Sequence, residues 1–233
     1  MRTLFGTVTL LAMLCASLTL PASAHRRDFP VTYDWAQPQR GALEVESQTS
    51  YRTSDRSIDQ QIEVEYGISD RWMVAPYVTF EKDQSGGFRY TGYRLESRYQ
   101  LTPYRANSIL TGIYAEAEKT VGQPGEGEGK LVFSRYGEDG SDLSLNLVTE
   151  KTIEHSDRLR MAYTMGYARD IGRSGERIGA ELYKSIDNGN TNMGPTYAFS
   201  AAQNTWVVAG IGFPTNHNGS NGTDFRLLAE YEW

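Results

Sequence analysis

Apolar and polar residues alternate in short stretches along most of this chain, from Ala42 to the last residue. The alternation is regular in 159–167, where Leu, Met and Tyr at odd positions are separated by polar or small residues. A period of two places neighbouring side chains on opposite faces of a β-strand. No stretch of useful length shows the 3.6-residue period of an amphipathic helix, so the pattern predicts an all-β chain.

Twelve segments of this kind, each about ten residues long, are separated by turn residues. They are 43–52, 57–68, 72–81, 88–101, 108–118, 130–137, 142–151, 158–169, 176–186, 191–200, 205–213 and 224–233. An even number of such strands is typical of a transmembrane antiparallel up-and-down β-barrel. We therefore predict twelve strands. Because 108–118 and 205–213 do not show which residues face outward, counts of ten or fourteen also fit.

The predicted connections differ in length between the two ends of the barrel. If the first strand rises from the periplasm, the three longest connections, 82–87, 119–129 and 214–223, lie outside the cell. Long outer loops and short inner turns are typical of outer-membrane barrels. Aromatic residues also gather at segment ends, as in the belts at membrane interfaces. The inner belt would contain Tyr66, Trp72, Tyr99, Tyr167, Phe199, Trp206, Tyr231 and Trp233, and the outer belt Tyr51, Phe80, Phe88 and Phe225.

A soluble β-sandwich or lipocalin-like barrel is the alternative fold. Such a protein buries its apolar face in a core. Several strands would then place large aromatic residues opposite rows of charged residues, and nothing would require the chain to end on an aromatic residue. The membrane barrel is therefore the preferred interpretation.

The first 24 residues have the features of a secretory signal peptide. Arg2 supplies a positive charge, 4–20 is largely apolar, and Ala22-Ser23-Ala24 fits the small-x-small cleavage pattern. An N-terminal membrane anchor is the alternative. We predict that residues 1–24 are removed after export from the cytoplasm.

The rest of the chain divides into a short segment and the barrel. Residues 25–41 contain two prolines and show no clean period, so we predict an extended periplasmic segment, followed by the barrel over 42–233. The only cysteine, Cys15, lies in the predicted leader. The mature chain would therefore contain no disulfide.

Composition excludes several classes of protein. The 233 residues contain 23 Lys and Arg against 29 Asp and Glu, and this acidic balance argues against a nucleic-acid partner. An aromatic content of 12% argues against disorder. After the leader, no apolar run approaches the ~20 residues of a membrane-spanning helix.

Two parts of the chain resemble known outer-membrane proteins. The last strand, with Phe225, Leu227, Tyr231 and the terminal Trp233, resembles the signal that the barrel assembly machinery recognises. EVEYGISDRWMVAPYVTFE (63–81) and YRLESRYQLTP (93–103) resemble a diffuse family of mostly uncharacterised outer-membrane barrels, including those of the MetA pathway of phenol degradation. The resemblance implies a Gram-negative outer-membrane barrel that is transporter-like, and it brings no catalytic motif.

Carboxylates gather on the predicted inner face of three strands that become neighbours when the barrel closes. They are Glu44, Glu46, Glu63, Glu65, Glu230 and Glu232. Like charges at this spacing repel one another unless they are compensated. The expected partners are Arg94 and Arg98 on the fourth strand, or Arg26 and Arg27 from the N-terminal segment. Separate solvation of each carboxylate in a wet lumen is the alternative.

The sequence gives little support for a catalytic or metal-binding site. His217 and Ser220 resemble the motif of outer-membrane phospholipases only loosely, because the spacing differs and the stretch is rich in Gly and Asn. His155 lies in a charged stretch, and His25 would become the mature N-terminus. With three well-separated histidines in the chain, we expect no enzyme activity, no cofactor and no metal.

The predicted function is that of a narrow porin-like channel or transporter for ions or small solutes. Twelve tilted strands give a backbone radius of roughly 11 Å, which inward side chains reduce further. An acidic mouth favours small cationic solutes, and the other expected partners are outer-membrane lipid and the barrel assembly machinery. A non-conducting structural or adhesion barrel with a plugged, charged lumen is the first alternative. A lipid-acting barrel enzyme is the second.

Overall fold

The computed structural model describes residues 26–84, 86–153, 158–172, 175–215 and 222–233. These residues form twelve β-strands, numbered β1 to β12 in chain order. The strands are Leu43–Arg52, Ser57–Ser69, Trp72–Lys82, Arg89–Gln100, Leu110–Thr120, Gly125–Tyr136, Ser141–Thr152, Arg160–Asp170, Arg177–Ser185, Thr191–Ala202, Thr205–Pro214 and Asp224–Glu232.

Each strand pairs with the next along the chain, and β1 pairs with β12 to close the sheet into a barrel. All of these pairings are antiparallel, which confirms the predicted all-β barrel of twelve strands. Closure removes the unpaired edges that an open sheet would present. Among the described residues, no helix is long and apolar enough to cross a membrane. We call the end of the barrel that carries both chain termini the terminal end, and the other end the loop end.

Two predicted features of the connections are wrong. Strand β6 begins at Gly125 rather than at 130, so the expected long loop over 119–129 shrinks to the four residues 121–124. In 125–129 glycine alternates with glutamate, and the glutamates pair across from glutamates of β5 on the inner face. The outer face therefore carries no apolar side chain, and the alternation resembles a loop. At the terminal end, the β4–β5 connection is long, spanning 101–109.

The outer surface of the barrel is apolar, as expected for a surface that faces lipid. The exposed large apolar residues lie at alternate positions of the strands, for example Leu143, Leu147 and Met165. Phe225, Leu227 and Tyr231 of the predicted assembly signal project outward from β12, and the Trp233 ring packs edge-on against Tyr231 at 4.8 Å. The predicted inner belt is wrong at one residue.

Trp206 is that exception, because it points into the lumen and is only 1% exposed. The residues that face outward from this part of β11 are Val207 and Ala209. Both faces of the strand are apolar here, so alternation alone does not identify the buried face. The inner face of the barrel is otherwise mostly polar, and much of the space that it encloses is filled by residues 26–41.

Candidate functional site in the barrel lumen

Residues 26–41, the plug segment, lie largely inside the barrel, in the part of the lumen nearer the terminal end. The segment forms neither helix nor strand and bends at several positions. Its central residues are enclosed by the barrel, with Arg27 1% and Phe29 0% exposed, and Pro30 and Thr32 buried as well. The segment expected on the periplasmic side therefore lies inside the barrel.

Glycines on the barrel wall make room for the apolar side chains of the plug segment. A Cβ atom at Gly166 would lie 2.7 Å from ring atoms of Phe29, and one at Gly210 would lie 3.0 Å from Pro30. Such distances are shorter than van der Waals contact, so larger side chains at either position would push the segment away. The wall and the plug segment are thus complementary in shape.

Wall side chains also satisfy the backbone of the plug segment, which has no strand partner. The Val31 and Thr32 amides donate to Glu181 Oε2 at 3.1 and 3.2 Å. The Tyr33 amide donates to Asn146 Oδ1, and Asn146 Nδ2 donates back to the Tyr33 carbonyl, both at 2.8 Å. Buried backbone groups need such partners, because an unpaired group retains the full cost of losing water.

Side chains of β11 and β1 donate further hydrogen bonds to the backbone of the plug segment. Trp206 Nε1 donates to the Arg27 carbonyl at 2.6 Å, and Gln48 Nε2 donates to the Pro30 carbonyl at 3.1 Å. Strands β1, β7, β9 and β11 therefore all bond to the plug segment, which fixes it from several directions.

The six glutamates predicted to converge do so at the terminal end of the lumen. Glu44 lies directly between Glu232 and Glu65 in the strand register, and Glu46 lies between Glu230 and Glu63 in the next inward row. We call these six residues the glutamate grid. All six side chains are buried. Like charges directly opposite on neighbouring strands destabilise a sheet, so this arrangement requires compensation.

Arginines from both predicted sources reach the glutamate grid. Arg27 of the plug segment donates from Nη1 to both carboxylate oxygens of Glu46, at 3.1 and 2.9 Å. Arg98 of β4 pairs with Glu65 and, through Nε at 2.7 Å, with Glu96 on its own strand. The ring of Tyr33 lies under both guanidinium groups, with centroid distances of 4.2 Å for Arg27 and 5.4 Å for Arg98.

Arg94 was predicted to pair with the glutamate grid, but its ion-pair partners lie outside the grid. It pairs instead with Glu116 at 3.2 Å and Glu118 at 3.1 Å on β5. Arg94 and Arg98 are four positions apart along β4, which corresponds to about 13 Å and places Arg94 towards the loop end. The ring of Tyr77 lies beside Arg94, 5.5 Å from its guanidinium.

A second charged cluster ties the plug segment to the wall on the far side from the grid. Arg177 of β9 pairs with Asp28 at 2.8 Å, Asp142 at 2.7 Å and Asp170 at 3.1 Å. Asp28 and Asp142 are both buried. One guanidinium thus joins the plug segment to strands β7, β8 and β9.

Two cavities lie in the part of the lumen nearer the loop end. The larger has a volume of about 410 Å³ and is lined by residues that include Arg52, Asp59, Arg94 and Arg226. The smaller, of about 250 Å³, is lined mainly by carboxylates, namely Glu116, Glu118, Glu126, Glu128 and Glu150. The lumen between the plug segment and the loop end therefore has space for ions or small solutes, and the residues that line this space are strongly charged.

Sequence reasoning missed the wall residues that hold the plug segment, chiefly Glu181, Asn146 and Trp206. Phe29, Val31, Tyr33 and Trp35 are apolar or aromatic at alternate positions, a pattern that predicts one buried face. The structure does not follow this pattern, because Thr32 and Asp34 are buried whereas Val31, Tyr33 and Trp35 are only half-buried. The histidines considered for catalysis or metal binding, His25, His155 and His217, together with Ser220, lie outside the described residues.

Comparison with known proteins identifies the fold. No family model matches the chain, and no curated protein matches it. Among solved structures, it is similar to the KdgM porin in complex with disordered oligogalacturonate, with a TM-score of 0.64 and 10% identity over 82% of this chain and 99% of that one. It is also similar to an outer membrane channel from Pseudomonas putida F1, with a TM-score of 0.62 and 10% identity over 86% of this chain and 98% of that one.

The NanC porin is a further match, with a TM-score of 0.62 and 8% identity over 81% of this chain and 100% of that one. The narrower resemblance to barrels of phenol degradation stays a prediction. At such low identities the likeness establishes the architecture alone. The chain thus has the twelve-stranded fold of outer-membrane porin barrels.

Proposed function

We propose that this chain is a narrow porin-type channel of the bacterial outer membrane for ions or small solutes, and that its plug segment controls the flow. The observation that supports this function best is a closed barrel with an apolar outer face and a charged inner face, whose lumen still holds cavities near the loop end. A polar interior is typical of barrels that conduct. Surrounding lipid and the barrel assembly machinery are the proposed partners.

The solute class follows from the charge of the lumen. The carboxylates of the glutamate grid face the terminal end, and those of the smaller cavity face the loop end. Rings of acidic side chains favour cations over anions. The proposed permeants are therefore inorganic cations and small cationic solutes.

A non-conducting barrel with a plugged lumen is the second candidate, and a specific observation favours it. The plug segment is held by ion pairs, shape complementarity and hydrogen bonds from several strands. If it never leaves its position, the barrel serves a structural or adhesion role. The two candidates differ in one measurable property, which is conductance.

Single-channel recording in planar bilayers separates the candidates. The mature chain is compared with Arg27→Met, which loosens the plug segment without shortening the chain, and with Arg105→Met, the same chemical change on an exposed turn. The channel proposal expects cation-selective steps that become longer or more frequent in Arg27→Met but not in Arg105→Met. Silence of all three folded proteins contradicts the channel and supports the structural barrel, whereas anion selectivity contradicts the assignment of permeants.

A further inference from the structure

We infer that Glu46, Glu63 and Glu65, with Glu63 as the central ligand, form a binding site for a hard cation, and that Ca²⁺ fits it best. The site lies in the glutamate grid, where one carboxylate oxygen from each of the three residues lies within 4.8 Å of the other two. The inference goes beyond the proposed function, because an ion that is bound and retained there is distinct from an ion that passes through.

The first argument is the balance of charge. Four carboxylates, Glu46, Glu63, Glu65 and Glu96, surround the guanidinium groups of Arg27 and Arg98, and all six side chains are nine-tenths or more buried. Among these six side chains the carboxylates outnumber the guanidinium groups four to two, in a part of the lumen that also holds the buried Glu44, Glu230 and Glu232. Burying an excess of negative charge is costly, and a bound divalent cation would reduce that excess.

The second argument concerns two carboxylate oxygens that lack partners. Glu63 Oε1 and Glu65 Oε2 are buried and accept no hydrogen bond from any described residue. The side-chain hydrogen bonds of Arg27 and Arg98 go to Glu46 and Glu65, and neither guanidinium forms one with Glu63. A buried carboxylate oxygen that no donor reaches is an available ligand, because buried polar atoms otherwise find partners.

The strand register explains why these oxygens converge. Glu46 and Glu63 are directly opposite each other on β1 and β2. Glu65 is the next residue of β2 that faces the lumen, and it lies nearer the terminal end. Side chains at directly opposite positions have Cβ atoms about 5 Å apart, which is within reach of a shared ion. The site is thus built on two rigid strands rather than on a loop.

The chemistry of the ligands selects the class of cation. All three donors are carboxylate oxygens, which suit hard cations such as Ca²⁺ and Mg²⁺ rather than metals that prefer nitrogen or sulfur. Ca²⁺ binds oxygens at about 2.3–2.6 Å, so two of its ligands can stand about 5 Å apart. Mg²⁺ requires about 2.1 Å, which limits opposite ligands to about 4 Å. Ca²⁺ therefore accommodates the whole range of separations in this site.

The test measures Ca²⁺ binding to the mature chain refolded in neutral detergent, free of lipopolysaccharide, which binds Ca²⁺ itself. After treatment with a chelator and its removal, CaCl₂ is titrated by calorimetry at pH 7.5, and MgCl₂ is titrated for comparison. Three proteins are compared: the unmodified chain, Glu63→Gln, and Glu138→Gln, which makes the same change on an exposed turn.

The expected result is one tight Ca²⁺ site in the unmodified chain and in Glu138→Gln, with affinity reduced about tenfold or more in Glu63→Gln. Without Ca²⁺, Glu63→Gln should unfold at a higher temperature than the unmodified chain, because it lacks an unpaired buried charge. Adding Ca²⁺ should raise the unfolding temperature of the unmodified chain and close that gap.

Two results would overturn the inference. Equal Ca²⁺ affinity in Glu63→Gln and the unmodified chain would locate binding elsewhere. Absence of Ca²⁺ binding to the unmodified chain would mean that protons, rather than a metal ion, neutralise the carboxylates. This second result needs only the unmodified chain, so it tests the inference even if Glu63→Gln does not fold. Because calorimetry needs no conductance, the inference can fail while the channel proposal stands, and the reverse also holds.

Discussion

Replacing Arg27 by Met should release the plug segment from the lumen. Arg27 is buried, and its Nη1 atom binds both oxygens of Glu46. Met keeps most of the side-chain volume but leaves Glu46 without this partner, beside other carboxylates of the glutamate grid. Breaking a buried ion pair by removing one member costs about 3–5 kcal/mol. Because each 1.4 kcal/mol is a factor of ten, the released population should rise about a hundredfold or more.

The release can be measured by the reactivity of a cysteine placed in the plug segment. Thr32 is a suitable position, because it is buried and its hydroxyl has no hydrogen-bond partner among the described residues. Thr32→Cys therefore changes little in the seated state. Since Cys15 is the only native cysteine and lies in the predicted leader, the mature variant has a single thiol. When reseating is faster than labelling, the labelling rate is proportional to the released population.

Comparison with changes at Glu46 makes the prediction more specific. Glu46→Gln should accelerate labelling less than Arg27→Met, because it removes one negative charge from the grid while Arg27 keeps other carboxylates nearby. The double variant should label more slowly than Arg27→Met alone, since no unpaired carboxylate remains at position 46. A labelling rate for Arg27→Met within twofold of the Thr32→Cys parent would refute the reasoning.

Two further substitutions test the fit of the plug segment, and a pH titration tests one turn. Gly166→Val should accelerate labelling of the same thiol, because its side chain would overlap the Phe29 ring, and an unchanged rate would show that the ring is not seated there. Trp206→Phe removes a hydrogen bond to the plug segment worth about 1 kcal/mol, so labelling should rise about fivefold; a rate no faster than that of the parent would contradict that bond. Hydrogen bonds from the Ser57 hydroxyl and amide lower the pKa of Asp55 in the β1–β2 turn to about 2. The Asp55 carboxylate therefore contributes fully to the stability of the turn above its unfolded pKa near 4, and this contribution is lost as the pH falls through 2. An NMR titration measures the pKa of Asp55, and a measured pKa near 4 would contradict the prediction.

The sequence predicts the barrel well because the lipid outside and the polar lumen inside impose opposite demands on alternate residues. The rows that contain Glu44 and Glu46, and Glu63 and Glu65, could be assigned to the inner face from alternation alone. Their meeting with Glu230 and Glu232 required only the assumption that the barrel closes. Where alternation is weak the prediction fails, as at Trp206, whose strand is apolar on both faces.

The position of the plug segment is harder to predict, because its partners are far away in the chain. Tyr33 bonds to Asn146 across 113 residues of sequence, and Trp206 bonds to Arg27 across 179. No local pattern encodes such pairings. The alternation of Phe29, Val31, Tyr33 and Trp35 predicts one buried face, whereas the structure buries Thr32 and Asp34 between them. Partner choice here depends on shape and charge in three dimensions, notably on the space left by Gly166.

The contacts of Arg27 also have a consequence for how the barrel forms. This residue binds Glu46 on β1 through its side chain, and its amide donates to Glu230 on β12 at 3.4 Å. It therefore bridges the seam where the first strand meets the last, which is the pairing with the greatest sequence separation in the barrel. Pairings of this kind form slowly, because a long loop must close first. Because Arg27 binds both strands of this pair, it would favour their pairing during assembly. Arg27→Met should therefore slow refolding into detergent micelles. An unchanged refolding rate would limit Arg27 to a role in the finished barrel.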